Sequence, residues 1–152
     1  MQFLCLPFYE LNLDQLYDIL RLRQAVFVVE QDCPYLDTDG NDQKSLHLMG
    51  FYEGELVAYT RLVPKGISYE KYASIGRVIT SDKIRGKGFG KLLMSTSVNK
   101  LFEFWGQQAI KISAQSHLIP FYKTIGFGPT GEEYLEDGIP HAAMIRASEV
   151  RG

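Results

Sequence analysis

Apolar and polar positions along this chain follow two different periods, and the switches between them outline its elements. Gln2–Pro7 has the length of a strand. Asn12 then reads as an N-cap, with Gln15 three residues on completing a capping box. Leu13, Leu16, Tyr17, Leu20 and Phe27 recur at helical spacing, which predicts a helix from Leu13 to about Val28. Glu30–Lys44 is polar, with Pro34 and Gly40, and reads as a long loop. Leu46–Tyr52 and Glu55–Val63 are strand-like runs joined by a hairpin turn at Glu53-Gly54. Ala73–Thr80 is a further strand, followed by a glycine-rich segment and a long helix. That helix has Met94, Val98, Leu101, Phe102 and Trp105 on its apolar face and Gly106 as its stop. Ala109–Ala114 is β-like, and Ser116 can cap a short helix through Ile125, with Pro120 near its first turn. From Phe127 two extended segments follow, separated by a turn at Glu136–Pro140. The order predicts a mixed α/β chain, with antiparallel strands first and a parallel crossover later.

Composition narrows the function classes. The 152 residues, with no internal repeat and no linker-like tract, suit one domain with one core. A net charge of -2 gives little electrostatic support to a nucleic-acid partner. No apolar run approaches the roughly 20 residues that span a bilayer, and the Phe3–Phe8 stretch lacks the basic flank of a signal peptide. Cys5 and Cys33 cannot build a disulfide framework, so a reducing, cytoplasmic location is expected.

Candidate chemistry concentrates in Arg85-Gly86-Lys87-Gly88-Phe89-Gly90-Lys91, between a strand and a helix. Glycines let the backbone turn tightly and approach a ligand, and the N–H groups of a helix start attract an anion. Lys87 and Lys91 add positive charge, so the segment reads as a phosphate cradle. A P-loop needs glycine five residues before the Gly-Lys pair and a hydroxyl residue after it; Arg85 and Leu92 stand there. A dinucleotide fingerprint with Gly88 as its second glycine needs a third at position 91, which is lysine. The acidic run Asp37–Asp42 fails as an EF-hand, because loop positions six and twelve are Asp42 and Leu48. It reads as a solvated acidic loop, or alternatively as an attractor for a cationic substrate. No metal site is expected.

Arg85, Gly88 and Gly90 spell Arg-x-x-Gly-x-Gly, which resembles the pyrophosphate loop of the GCN5-related N-acetyltransferase (GNAT) superfamily. A second motif, Phe121-Tyr122-Lys123-Thr124-Ile125-Gly126-Phe127, resembles that family's FYxxxGF segment, at the right distance from the first. Val26–Gln31, Cys33-Pro34-Tyr35 and Glu136–His141 closely resemble its ElaA-like subgroup. The resemblance covers nearly the whole chain. It implies a central mixed, largely antiparallel sheet of about six to seven strands with a splayed parallel pair, flanked by about four helices.

The resemblance also implies acetyl-CoA as cosubstrate and direct transfer of its acetyl group to a primary amine. The pyrophosphate then meets the backbone of Arg85, Gly86, Lys87, Gly88, Phe89, Gly90 and Lys91. The pantetheine arm pairs with the strand edge at Val78, Ile79 and Thr80. The other strand of the splayed pair is Lys111–Gln115, and Gln115 stands where many relatives carry asparagine. Tyr122 matches the family's general acid, and a phenol is chemically suited to protonate the departing thiolate. Glu30 and His141 are both candidates for the general base, with His47 a third. Arg61 and Arg77 are charges within strands, where either an ion pair or a cleft is needed. Arg77, with His47, is a candidate for the acceptor site. Cys33 has no partner pattern for an acyl-enzyme. A non-catalytic acyl-CoA sensor on the same fold is the alternative, and exposed strand edges permit a homodimer.

Overall fold

The computed structural model describes residues 1–148. Seven strands form two antiparallel sheets, one in the order β1-β2-β3-β4 and one in the order β5-β7-β6. The first contains β1 (Gln2–Pro7), β2 (Leu46–Tyr52), β3 (Glu55–Val63) and β4 (Ser74–Thr80). The second contains β5 (Ile110–Gln115), β6 (Phe127–Glu136) and β7 (Ile139–Arg146). Three α-helices accompany them among the described residues: α1 (Leu13–Arg23), α2 (Phe89–Trp105) and α3 (Ile119–Lys123). The two sheets touch through a parallel bridge between Ala73 and Ile110, with the Lys111 amide donating to the Ala73 carbonyl at 3.0 Å. Beyond that bridge β4 and β5 share no ladder, so the expected parallel pair is splayed and one edge of β4 is left unpaired along the gap.

Alternation in the first sheet sends two sets of side chains to opposite faces. Leu48, Ala58, Leu62 and Ile75 pack with Leu93, Met94 and Leu101 of α2, while Met49, Tyr59 and Ile79 pack with Ile19 of α1. A bulge in β4 breaks this alternation. Pairing with β3 runs Arg61↔Gly76 and then Tyr59↔Ile79, so Arg77 and Val78 together oppose Thr60. Arg77 absorbs the extra residue at φ +50°, an unusual conformation for a long side chain. The phase shift explains why Ile75 and Val78 both reach the α2 side and Ile79 the other.

The helix expected to reach Val28 changes character before it gets there. The capping box of Asn12 and Gln15 starts α1, but from Gln24 to Glu30 the chain winds as a π-helix, with the Gln31 amide bonded to Val26 O at 3.2 Å. Val26, Val28 and Val29 crowd an α-helical turn at χ1, and the wider winding turns Val26, Phe27 and Val28 into the gap between the sheets. Ser116 makes no capping bond; a 3-10 turn over Ser116–Leu118 leads into α3 instead. No helix among the described residues is long and apolar enough to cross a membrane.

Candidate active site

A cleft of about 980 Å³ opens where β4 and β5 part. Its walls are β4 from Ser74 to Thr80, the end of β5, the π-helical turn, the loop after it, His117 and Leu118 before α3, Tyr122 within α3, and the tip of the β6–β7 hairpin.

At one end the glycine-rich segment turns the chain from β4 into α2. Gly86 and Gly88 lie at φ +80° and +79°, and Gly88 is the N-cap of α2 with no capping side-chain bond. The first-turn amides of α2 therefore have no side-chain acceptor at the cap. Lys87 lies over the Tyr52 ring at 5.6 Å. Gly90 sits under Phe121, whose ring atoms would lie 3.6 Å from an added Cβ. Val78, Ile79, Thr80, Arg85 and Gln115 all line the cleft. Arg85 Nε donates to Thr80 O at 2.8 Å, and both of its terminal nitrogens bind the Glu30 carboxylate. That hydrogen bonding holds the Glu30 carboxyl below its ordinary range, which weakens it as a base.

Tyr122 lines the cleft from α3, its ring packed edge-on against Phe121 and Phe127. Burial pushes its phenol up to about 12, so it stays protonated throughout the neutral range. His141, on β7 of the second sheet, is also part of the cleft wall and nearly buried. Its Nδ1 lies 2.7 Å from Ile139 O, and a carbonyl only accepts, so Nδ1 carries the hydrogen. Nε2 faces Glu136 Oε2 at 3.2 Å. Glu136 was not among the residues the sequence pointed to, although an Asp-Gly turn after it would have placed it diagonally across from His141.

The acidic loop corrects an expectation. Asp37 and Asp42 are nearly buried and Asp39 is partly exposed, and none is free to draw in a cation; they are bound by Arg23, Arg61 and Arg77. Arg23, fully buried, donates to Asp37 Oδ2 at 2.6 Å and to Asp42 Oδ1 at 2.7 Å. Arg61 holds Asp39 with two bonds of 2.8 Å and reaches Asp42 at 3.0 Å. Arg77 lines the cleft, yet its Nε and Nη2 are taken by the side chain and carbonyl of Asp37, at 2.8 and 2.9 Å. Burial alone would raise the Asp39 and Asp42 carboxyls; the arginine bonds overcome it and hold both below the usual range. Arg61 Nε is buried without a hydrogen-bond partner among the described residues. Arg23 was likewise missed from the sequence; it falls four residues after the buried Ile19, on the inward stripe of α1.

His47 lies outside the cleft wall. Its Nε2 donates to Asp42 O at 2.8 Å and its Nδ1 faces the Tyr59 hydroxyl at 2.6 Å, so both ring nitrogens are occupied. Burial, foremost, holds its pKa below the ordinary histidine value.

Comparison with known proteins identifies the family. Residues 24–147 match the acetyltransferase (GNAT) domain family. Protein ElaA of Escherichia coli is 45% identical over 139 residues, covering 90% of each chain. A UPF0039 protein of Synechocystis is 42% identical, covering 91% of this chain and 90% of its own. The crystal structure of Escherichia coli ElaA superposes with a TM-score of 0.88, over 95% of this chain and 98% of that one. An acyl-CoA N-acyltransferase from Pseudomonas aeruginosa does so with a TM-score of 0.89 at 40% identity, over 97% and 100% of the two chains. The chain therefore belongs to the GNAT acetyltransferase family, among the relatives of ElaA.

Proposed function

We propose that the protein transfers an acetyl group from acetyl-CoA directly to a primary amine. The observation that carries this reading is the position of Tyr122, a buried, protonated phenol in the wall of the gap between β4 and β5. The name of the Pseudomonas aeruginosa relative, an acyl-CoA N-acyltransferase, supports the donor class.

The cofactor would enter with its pyrophosphate against the backbone of Arg85–Lys91, where uncapped amides and the α2 dipole favour a dianion. Its pantetheine arm would lie along the unpaired edge of β4 at Val78–Thr80, adding a strand-like contact where β5 has separated. Backbone donors at the bulge can polarise the thioester carbonyl. His141, with Nε2 carrying the lone pair, is the base, and Tyr122 protonates the CoA thiolate. Glu30 is assigned to holding Arg85 rather than to proton transfer.

Thiol release from acetyl-CoA across a panel of polyamines, amino acids, aminoglycosides and peptides tests the reading. Turnover with at least one amine supports it. Acetyl-CoA binding by calorimetry with no turnover across the panel would favour a sensor instead.

A further inference from the structure

Asp137 and Gly138 form the β6–β7 turn at φ +51° and +78°. A two-residue turn left-handed at both positions matches the twist of a hairpin and fixes its register. Glu136 thereby opposes Ile139, and Tyr134 opposes His141. Residues two apart on a strand share a face, so all four lie on the same side of the hairpin. Glu136, Ile139 and His141 are part of the cleft wall. The Ile139 carbonyl occupies Nδ1–H, which leaves Nε2 as the ring atom able to take a proton, 3.2 Å from the Glu136 carboxylate. Tyr134 stacks on the imidazole at 6.2 Å and 15°, and its hydroxyl is tied to Ser113 of β5. The ring is thus held in plane by one neighbour and in rotation by another.

We infer that Glu136 is the positioning residue of a Glu136–His141 pair, which draws a cationic amine to the ring and holds the imidazolium formed there. The inference rests on acetyl transfer with His141 as base. With Asp37 and Asp39 neutralised by arginines, the half-exposed carboxylate of Glu136 is placed to meet an ammonium ion beside His141. One N–H bond of the ammonium breaks and Nε2–H forms; the imidazolium then has Ile139 O accepting from Nδ1–H and the Glu136 carboxylate as its counter-charge, 3.2 Å from Nε2. The freed nitrogen lone pair attacks the thioester carbon, the C–S bond breaks, and the thiolate takes the Tyr122 proton. A second proton shed by the acylated nitrogen restores Tyr122, and the imidazolium releases the first to solvent. One proton leaves per turnover.

The test compares thiol release with butylamine, an ammonium ion at neutral pH, and hydroxylamine, which is largely uncharged there and needs no prior deprotonation. Glu136→Gln is expected to lower kcat/KM for butylamine about tenfold or more, within the range of general-base effects. The hydroxylamine rate and the KM for acetyl-CoA should change less than about twofold, and Glu136→Asp should recover part of the loss. Added to His141→Gln, Glu136→Gln should cost little more, because the two act as a unit. Equal losses with both nucleophiles, or fully additive losses in the double variant, overturn the pair. If His141→Gln alone leaves both rates intact, the base assignment and the pair fall together while acetyl transfer stands. No thiol release with either nucleophile or with any amine of the wider panel, with acetyl-CoA still bound, removes the enzyme reading itself.

Discussion

Arg85 reaches back from the glycine-rich loop to clasp Glu30 at the end of the π-helical turn, with both terminal nitrogens on one carboxylate and Nε on the Thr80 carbonyl. Two residues 55 positions apart thus join the glycine-rich loop to the π-helical turn that forms part of the cleft wall. The contact makes Glu30 a weaker base, because a carboxylate held by a guanidinium gives up affinity for protons.

Glu30→Gln is therefore expected to leave the acidic limb of the pH–rate profile in place and to raise the KM for acetyl-CoA a few-fold. The pair is substantially exposed, so the loss of folding stability should stay below about 1 kcal/mol. Turnover reduced by about two orders of magnitude, the scale of a lost general base, with the acidic limb abolished, would restore Glu30 to that role.

Tyr122→Phe removes a hydroxyl for which no protein hydrogen bond is observed among the described residues, so urea unfolding should barely change. Turnover should fall about 10²-fold or more, the usual scale of general-acid effects, with acetyl-CoA affinity within about twofold. Since burial sets this phenol at about 12, no alkaline loss of activity below about pH 11 should trace to it. Unchanged turnover in the phenylalanine variant removes Tyr122 from the mechanism.

The arginine–aspartate cluster should dominate the stability of the loop that follows the π-helical turn. Arg23→Ala leaves Asp37 and Asp42 buried with one partner fewer each, and should cost about 3–5 kcal/mol in urea unfolding. Asp39 and Asp42 have folded pKa values below their unfolded ones, which lie near ~3.9. Their stabilisation is therefore full above about pH 4 and is lost as pH falls through the lower folded values. An acid-unfolding midpoint unmoved by Asp42→Asn would contradict this.

Gly88→Ala puts a Cβ into open space but onto a left-handed backbone, φ +79°. A stability cost of about 1 kcal/mol is expected. The larger effect should be on the KM for acetyl-CoA, because the amides of the α2 N-terminus are aimed by this residue. Titration calorimetry with acetyl-CoA reads it directly; undiminished affinity would place the phosphates elsewhere.

Much of the fold was legible in the chain because local chemistry dictates it. Asn12 and Gln15 could only start a helix, Glu53-Gly54 turned a hairpin with both residues at positive φ, and the spacing of Met94, Val98 and Leu101 gave α2 one inward face. The succession of strands and helices along the chain, and the glycine-rich loop before α2, followed from local pattern and contiguous motifs. What the sequence could not decide were relationships between distant segments. Alternation gave no warning of the Arg77 bulge, because one inserted residue reverses the faces of everything after it. Helical periodicity did not reveal that the turn at Gln24–Glu30 widens, since apolar spacing over seven residues does not separate α-helical from π-helical winding. The aspartates of the loop read as solvated because their arginines lie 14 to 40 residues away, and charge pairing over that separation exists only once β3, β4 and α1 have been brought together. By itself the sequence determined the elements and the loop that marks the family; the tertiary structure decided which charges cancel, because arginines and aspartates far apart in the chain meet only when the sheets and α1 have packed.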